Sequence, residues 1–203
     1  MLQTQSVDPK LLELLKKIMN CDSFTDFNLV GGTSLALQIG HRKSIDIDLF
    51  GNSEIYADDF ITILSEFGKV ITLKKSKNVL ILSVDGIKVD FVNYKYPLLE
   101  TIEVVENIRL VTQTDIAAMK LNAIVGRGSK KDFIDLYFLL QKYTLKEMIS
   151  FFNKKFADGS EFMVIKSLHY FDDADLEEMP EMTTPIDWEE IKTKIKNFAT
   201  LLN

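Results

Sequence analysis

The chain has 203 residues, 46% apolar and 27% charged, with 24 basic and 30 acidic residues and a formal charge of −6. Those values suit one folded domain, or a core with a helical extension, and exclude a disordered or fibrous chain. The acidic excess argues against sequence-independent binding to duplex DNA, and the single Cys21 rules out an internal disulfide and suits a reducing compartment.

Asp8-Pro9 reads as an N-cap and a first-turn proline, and Leu11, Leu12, Leu14, Leu15 and Met19 then recur at helical spacing over 9–20. Phe27 to Val30 is a short apolar run that meets a Gly31-Gly32 turn. Thr33 is expected to cap a short helix from Ser34 to Ile39, closed by Gly40. From Ser44 to Phe50, Ile45, Ile47 and Leu49 alternate with Asp46 and Asp48, the pattern of a half-buried strand. A helix over 58–67 precedes strands at 69–75, 78–84 and 87–94, the last two joined at Asp85-Gly86, a two-residue hairpin signal.

After a short strand at Ile108 to Val111, the pattern turns helical. Thr114 is expected to cap a helix reaching Val125; Gly126 to Ser129 interrupts, and Lys131 to Lys142 resumes. Thr144 and Glu147 have capping-box spacing, while Ser160 and Asp187 mark two further starts. The acidic stretch Asp172 to Pro185 reads as a solvated connecting loop. No apolar run approaches the ~20 residues needed to span a bilayer, and the first residues lack a basic start or a long apolar stretch, so a cytoplasmic protein is expected.

Strand alternation puts Asp46 and Asp48 on one face with Cα atoms about 6.5–7 Å apart. Like charges so close need a cation, and hard oxygen ligands favour Mg²⁺ or Mn²⁺. Asp90, alternating with Val89 and Phe91, is a third candidate ligand; three strand aspartates around divalent ions suit phosphoryl or nucleotidyl transfer. Gly31, Gly32, Thr33 and Ser34 would offer backbone N–H groups and hydroxyls to a phosphate at a helix start. His41-Arg42-Lys43, Arg127, Lys130 and Lys131 add local positive charge, and the planar fork of Arg42 suits a triphosphate. Lys120 offers a mobile point charge suited to binding the nucleotide triphosphate, and Asp132 and Asp135, three apart on a helix, would orient Lys120, Arg127 or a substrate hydroxyl.

The run GGTSLALQIGHRKSIDIDLF, followed by DIAAMKL at Asp115 to Leu121 and KDFIDLY at Lys131 to Tyr137, resembles the AbiEii-type toxins of type IV toxin–antitoxin pairs. Those proteins form a branch of the polymerase-β-like nucleotidyltransferase superfamily. The resemblance covers about residues 27–140. It implies an α+β fold (α/β mixed), with a small mixed sheet in a nucleotidyltransferase core over 1–112 and a helical C-terminal portion over 113–203 that completes the cleft. It further implies transfer of an NMP from an NTP to RNA, often the tRNA 3′ end, and a separate antitoxin partner. On that reading Asp46, Asp48 and Asp90 hold Mg²⁺ or Mn²⁺, and Gly31 to Ser34 and Arg42 hold phosphates. Lys120, Asp132 and Asp135 complete the catalytic set. Two alternatives remain: a small-molecule or protein acceptor, and a non-catalytic protein that only binds nucleotide or antitoxin.

Overall fold

The computed structural model describes residues 1–202. Two compact units divide the chain, one formed by Met1–Tyr96 and Ile102–Val111, the other by Pro97–Thr101 and the chain from Thr112 onward. Among the described residues no helix is long and apolar enough to cross a membrane.

The first unit opens with α1 (Pro9–Met19), where the Asp8 carboxylate accepts from Lys10 N and Leu11, Leu14, Leu15 and Ile18 form a buried stripe. Then come β1 (Asn28–Leu29), α2 (Gly31–Ile39), β2 (Asp46–Gly51), α3 (Ala57–Leu64), β3 (Val70–Lys75), β4 (Val79–Val84), β5 (Ile87–Asn93), β6 (Glu103–Val105) and β7 (Ile108–Leu110). The seven strands make one mixed sheet in the order β3-β4-β5-β2-β1-β7-β6. Two pairs are parallel, β2 with β5 and β1 with β7. The Asp85-Gly86 hairpin forms as expected, both residues at positive φ (48° and 86°). Its counterpart at Glu106-Asn107 (φ 52° and 64°) joins β6 to β7 and was not legible, because neither residue is glycine.

Alternation in the central strands decides which face is dry. Ile47, Leu49, Leu80, Leu82, Val89 and Phe91 are fully buried on the same side as α1, where Phe24, Phe27, Phe60 and Phe91 pack edge-on or tilted with ring centroids 4.9–5.7 Å apart. Asp46, Asp48 and Asp90 occupy the intervening positions and are only half-buried.

The second unit contains α4 (Gln113–Gly126), α5 (Lys130–Leu139), α6 (Leu145–Lys155), α7 (Glu161–Ser167), α8 (Asp172–Asp175) and α9 (Trp188–Thr200). Helix α4 packs against α5, α6 and α7. Its cap is Thr112, two residues before the expected Thr114, which instead bonds Glu100 and Tyr143. The capping box at Thr144 and Glu147 is present, as are the caps at Ser160 and Asp187. The expected acidic loop is partly ordered as α8. Ala174 is fully buried and Phe171 stacks on Phe133 at 4.5 Å, so apolar side chains among the acidic ones anchor the stretch. Asp175 also accepts from Trp188 Nε1 (2.6 Å) and Lys192 Nζ (2.9 Å).

Helix α2 begins at Gly31, three residues earlier than expected, with Val30 as a cap that contributes no side-chain bond. Gly31 has φ +67°, and a Cβ there would lie 2.7 Å from Asp48 Oδ2. Gly31→Ala is therefore expected to lower stability by about 1–3 kcal/mol. Gly126→Ala, where a Cβ meets nothing within 4 Å, is expected to be neutral or to stabilise by up to ~1 kcal/mol. Midpoints of urea unfolding measured side by side check the contrast.

Candidate active site

Parallel pairing of β2 with β5 sets Asp46 opposite Lys88 and Asp48 opposite Asp90. Because side chains alternate, these four share one face: three carboxylates and one ammonium on two adjacent strands. Lys88 Nζ donates to Asp90 Oδ2 at 2.6 Å. The other oxygen, Asp90 Oδ1, is buried and has no hydrogen-bond partner. Burial alone would lower the Lys88 ammonium, but the Asp90 carboxylate, with Asp48 and Asp46 behind it, raises it above the usual lysine range. Lys88 thus supplies a cation's charge to the cluster, a role the sequence reading missed although Lys88 stands two residues before Asp90.

The chemistry of this donor set suits a divalent cation: three carboxylates lie on one sheet face, one buried oxygen lacks a partner, and glycine at position 31 makes room beside Asp48. Among the described residues no three His, Cys, Asp or Glu side chains already form a metal cage.

Gly31 and Gly32 form the first turn of α2, whose free N–H groups and dipole begin beside the Asp48 carboxylate. The neighbouring hydroxyls face inward instead of toward a phosphate. Thr33 and Ser34 are fully buried; Thr33 Oγ1 donates to Asp46 O and meets Ser44 Oγ at 2.7 Å, and Ser34 Oγ accepts from Gln38 Nε2 at 3.1 Å. Thr33 therefore ties α2 to the start of β2 and does not cap the helix. Arg42, expected as an open fork for phosphate, is 3% exposed and donates to Lys43 O. A cavity of about 640 Å³ lies at the end of the same sheet, between α1 and the Asp85-Gly86 turn. Its wall of Leu11, Leu14, Val84 and Ile87 belongs to the apolar side, and it reaches the carboxylate face only at Asp46 and Lys88.

In the second unit, α4 and α5 bring Lys120 to both helix-face aspartates, 2.9 Å from Asp132 and 2.6 Å from Asp135. Asp132 also accepts two bonds from Arg127, at 2.8 and 3.0 Å, and one from Ser129 Oγ at 2.7 Å. Lys120 is 4% exposed, so the structure holds it differently from the mobile charge expected of it. Burial opposes ionisation of Asp132, yet the Lys120 ammonium and Arg127 guanidinium outweigh it and hold the carboxyl well below the ordinary range.

A second buried pair went unread. Lys155 Nζ meets Asp115 Oδ1 at 2.7 Å and donates to Pro97 O, while the same aspartate accepts from Leu99 N, Glu100 N and Thr112 Oγ1. It clamps Pro97–Thr101 into the second unit. The available signal was Asp115 at the third position after a threonine cap; its distant lysine partner had none.

Residues 13–202 match the family described as nucleotidyl transferase AbiEii toxin, type IV TA system. The chain belongs to the AbiEii nucleotidyltransferase family. It is 41% identical over 196 residues to the uncharacterised protein aq_aa25 of Aquifex aeolicus (strain VF5), covering 92% of this chain and 94% of that one. The fold is similar to that of JHP933 from Helicobacter pylori, with a TM-score of 0.60 and 17% identity over 95% of this chain and 88% of that one. It is also similar to the antibiotic-resistance factor ANT(2'')-Ia, with a TM-score of 0.55 and 12% identity over 71% and 90% of the two chains. The AbiEii chain is thus a nucleotidyltransferase on an α/β mixed scaffold.

The depressed Asp132 makes a signed prediction. Its ionised form stabilises the fold fully above the ordinary carboxylate value of about 3.9, and that contribution fades as pH falls below it. Asp132→Asn breaks a buried charge pair and is expected to cost about 3–5 kcal/mol at pH 7. The gap from wild type should narrow steadily below about pH 4, measured by urea unfolding across pH.

Proposed function

We propose that this AbiEii protein moves an NMP from an NTP to an acceptor hydroxyl on RNA, such as a tRNA 3′ end, in a metal-dependent reaction. The in-register pair Asp48 and Asp90, flanked by Asp46 and Lys88 on one sheet face, carries the reading. Asp46, Asp48 and Asp90 would hold Mg²⁺ or Mn²⁺, which when bound would neutralise the triphosphate and align it for attack. Gly31 and Gly32 would receive phosphate oxygens on the N–H groups of the first turn of α2.

The acceptor oxygen bonds to the α-phosphorus as the bond from that phosphorus to the α,β-bridging oxygen breaks. Pyrophosphate leaves with the bonding electrons, and the hydroxyl proton passes to the Asp90 carboxylate. Lys88, whose Nζ lies 2.6 Å from Asp90, would stand beside the growing negative charge. Lys120, Asp132, Asp135 and Arg127 form a closed ion network that fixes the α4–α5 corner of the second unit. The type IV assignment of the family supports a toxin role and an antitoxin partner for this protein.

Purified protein incubated with each labelled NTP, Mg²⁺ and total RNA is expected to label RNA, and chelation is expected to stop it. Asp90→Asn should slow transfer about 10²–10⁴-fold, and Asp48→Asn should abolish both transfer and Mn²⁺ binding. Label that appears only on a protein or small molecule would remove RNA as acceptor. Equal NTP and metal binding by an Asp46→Ala/Asp48→Ala variant, with no transfer by wild type, would sink the enzymatic reading.

A further inference from the structure

The carboxylate face does not stop at β5. Residue pairing extends it across two more strands in two rows: Asp48, Asp90, Ile81 and Lys74, and beside it Asp46, Lys88, Ser83 and Ile71. Lys74 reaches this face because β3 carries a bulge. The register shifts between Thr72 and Lys74, so Lys74 pairs with Ile81, whereas unbroken pairing would set Leu73 there and turn Lys74 toward the apolar side. An edge strand with a bulge beside a site is a common means of re-aiming one side chain.

The rows change chemistry from the centre outward. Carboxylates lie at the middle, then half-buried Ile81 and Ser83, then Ile71, 50% exposed, and Lys74 at the sheet edge. From Lys69 to Lys77 the chain has four lysines and no acidic residue, within a protein of net charge −6. Lys75 is turned to the other side, 2.6 Å from Asp58. Lys74 and Lys77 have no acidic partner among the described residues.

We infer that this face is the track for the acceptor strand: a single-stranded RNA end lies across β5, β4 and β3 with its terminal hydroxyl at Asp90. Its sugars and bases rest on Ile81 and Ile71, and a phosphate behind the terminus meets Lys74. Two strand spacings, about 10 Å, separate Asp90 from Lys74 along the row. The inference rests on RNA as the acceptor and adds where that RNA lies. Positive charge at the rim suits the phosphate backbone, and half-buried Ile81 and exposed Ile71 tolerate any base.

Binding of a fluorescent single-stranded RNA oligomer is measured without NTP, across salt concentrations. Lys74→Glu is expected to weaken it about tenfold and to flatten the slope of log K against log salt by about 0.7 or more. Lys16→Glu on α1, with the same change in charge, should leave RNA binding as in wild type. A 4-thiouridine near the 3′ end should cross-link to the β3–β4 hairpin. Unchanged affinity and slope in Lys74→Glu, or cross-links confined to other segments, overturns the track even where wild type labels RNA. A wild type that labels only a small molecule or protein overturns both the track and the RNA reading.

Discussion

The parallel, in-register pairing of β2 with β5 is the constraint on which the site depends. It sets like charges side by side, Asp48 against Asp90 with Asp46 one pleat away. A sheet tolerates that only with a compensating charge on the same face, and Lys88 supplies it at 2.6 Å from Asp90. The same pairing drives Ile47, Leu49, Val89 and Phe91 into the aromatic core. A slip of one residue would bury the aspartates and expose that core, so packing energy on one face enforces electrostatic crowding on the other.

The two units treat buried charge in opposite ways. In the second, Asp132 accepts from Lys120, Arg127 and Ser129, and Asp115 accepts from Lys155, Thr112 and two backbone N–H groups. Closed networks of this kind fix geometry, and removing one member leaves a charge stranded. On the first unit's sheet face, by contrast, Asp90 keeps a buried oxygen with no partner. An unsatisfied acceptor costs stability, which makes that face the part of the protein suited to bind something else.

What the sequence made legible follows from the range of the interaction behind each feature. The central strands, the Asp85-Gly86 turn, Gly40 as a helix stop and the capping box at Thr144 depend on neighbours a few residues away, and each was readable. Features set by distant partners were not. Thr33 looks like a cap, but Ser44 and the backbone of Asp46 claim its hydroxyl. Arg42 looks like an anion fork until burial withdraws it. Lys155 is one lysine among many until the fold sets it against Asp115. Lys88 was visible as the neighbour of Asp90, yet its place opposite Asp46 depends on a strand pairing that no local pattern specifies.

The bulge in β3 carries this argument one step further. Period-two reading of Val70 to Lys75 would assign Lys74 to the apolar side, where an ammonium would lie against the Leu80 and Leu82 face. One extra residue exchanges the two lysines: Lys75 takes the place opposite Leu80, where it reaches Asp58 at 2.6 Å, and Lys74 is delivered to the rim of the carboxylate face. An acidic protein can in this way handle a polyanion without an overall basic surface. The central carboxylates repel phosphates unless a cation covers them, and the outermost lysine attracts them. The two effects oppose one another along a single row of the sheet, which on the proposed track would favour a strand that reaches the centre only by its terminal hydroxyl and keeps its phosphates toward the edge.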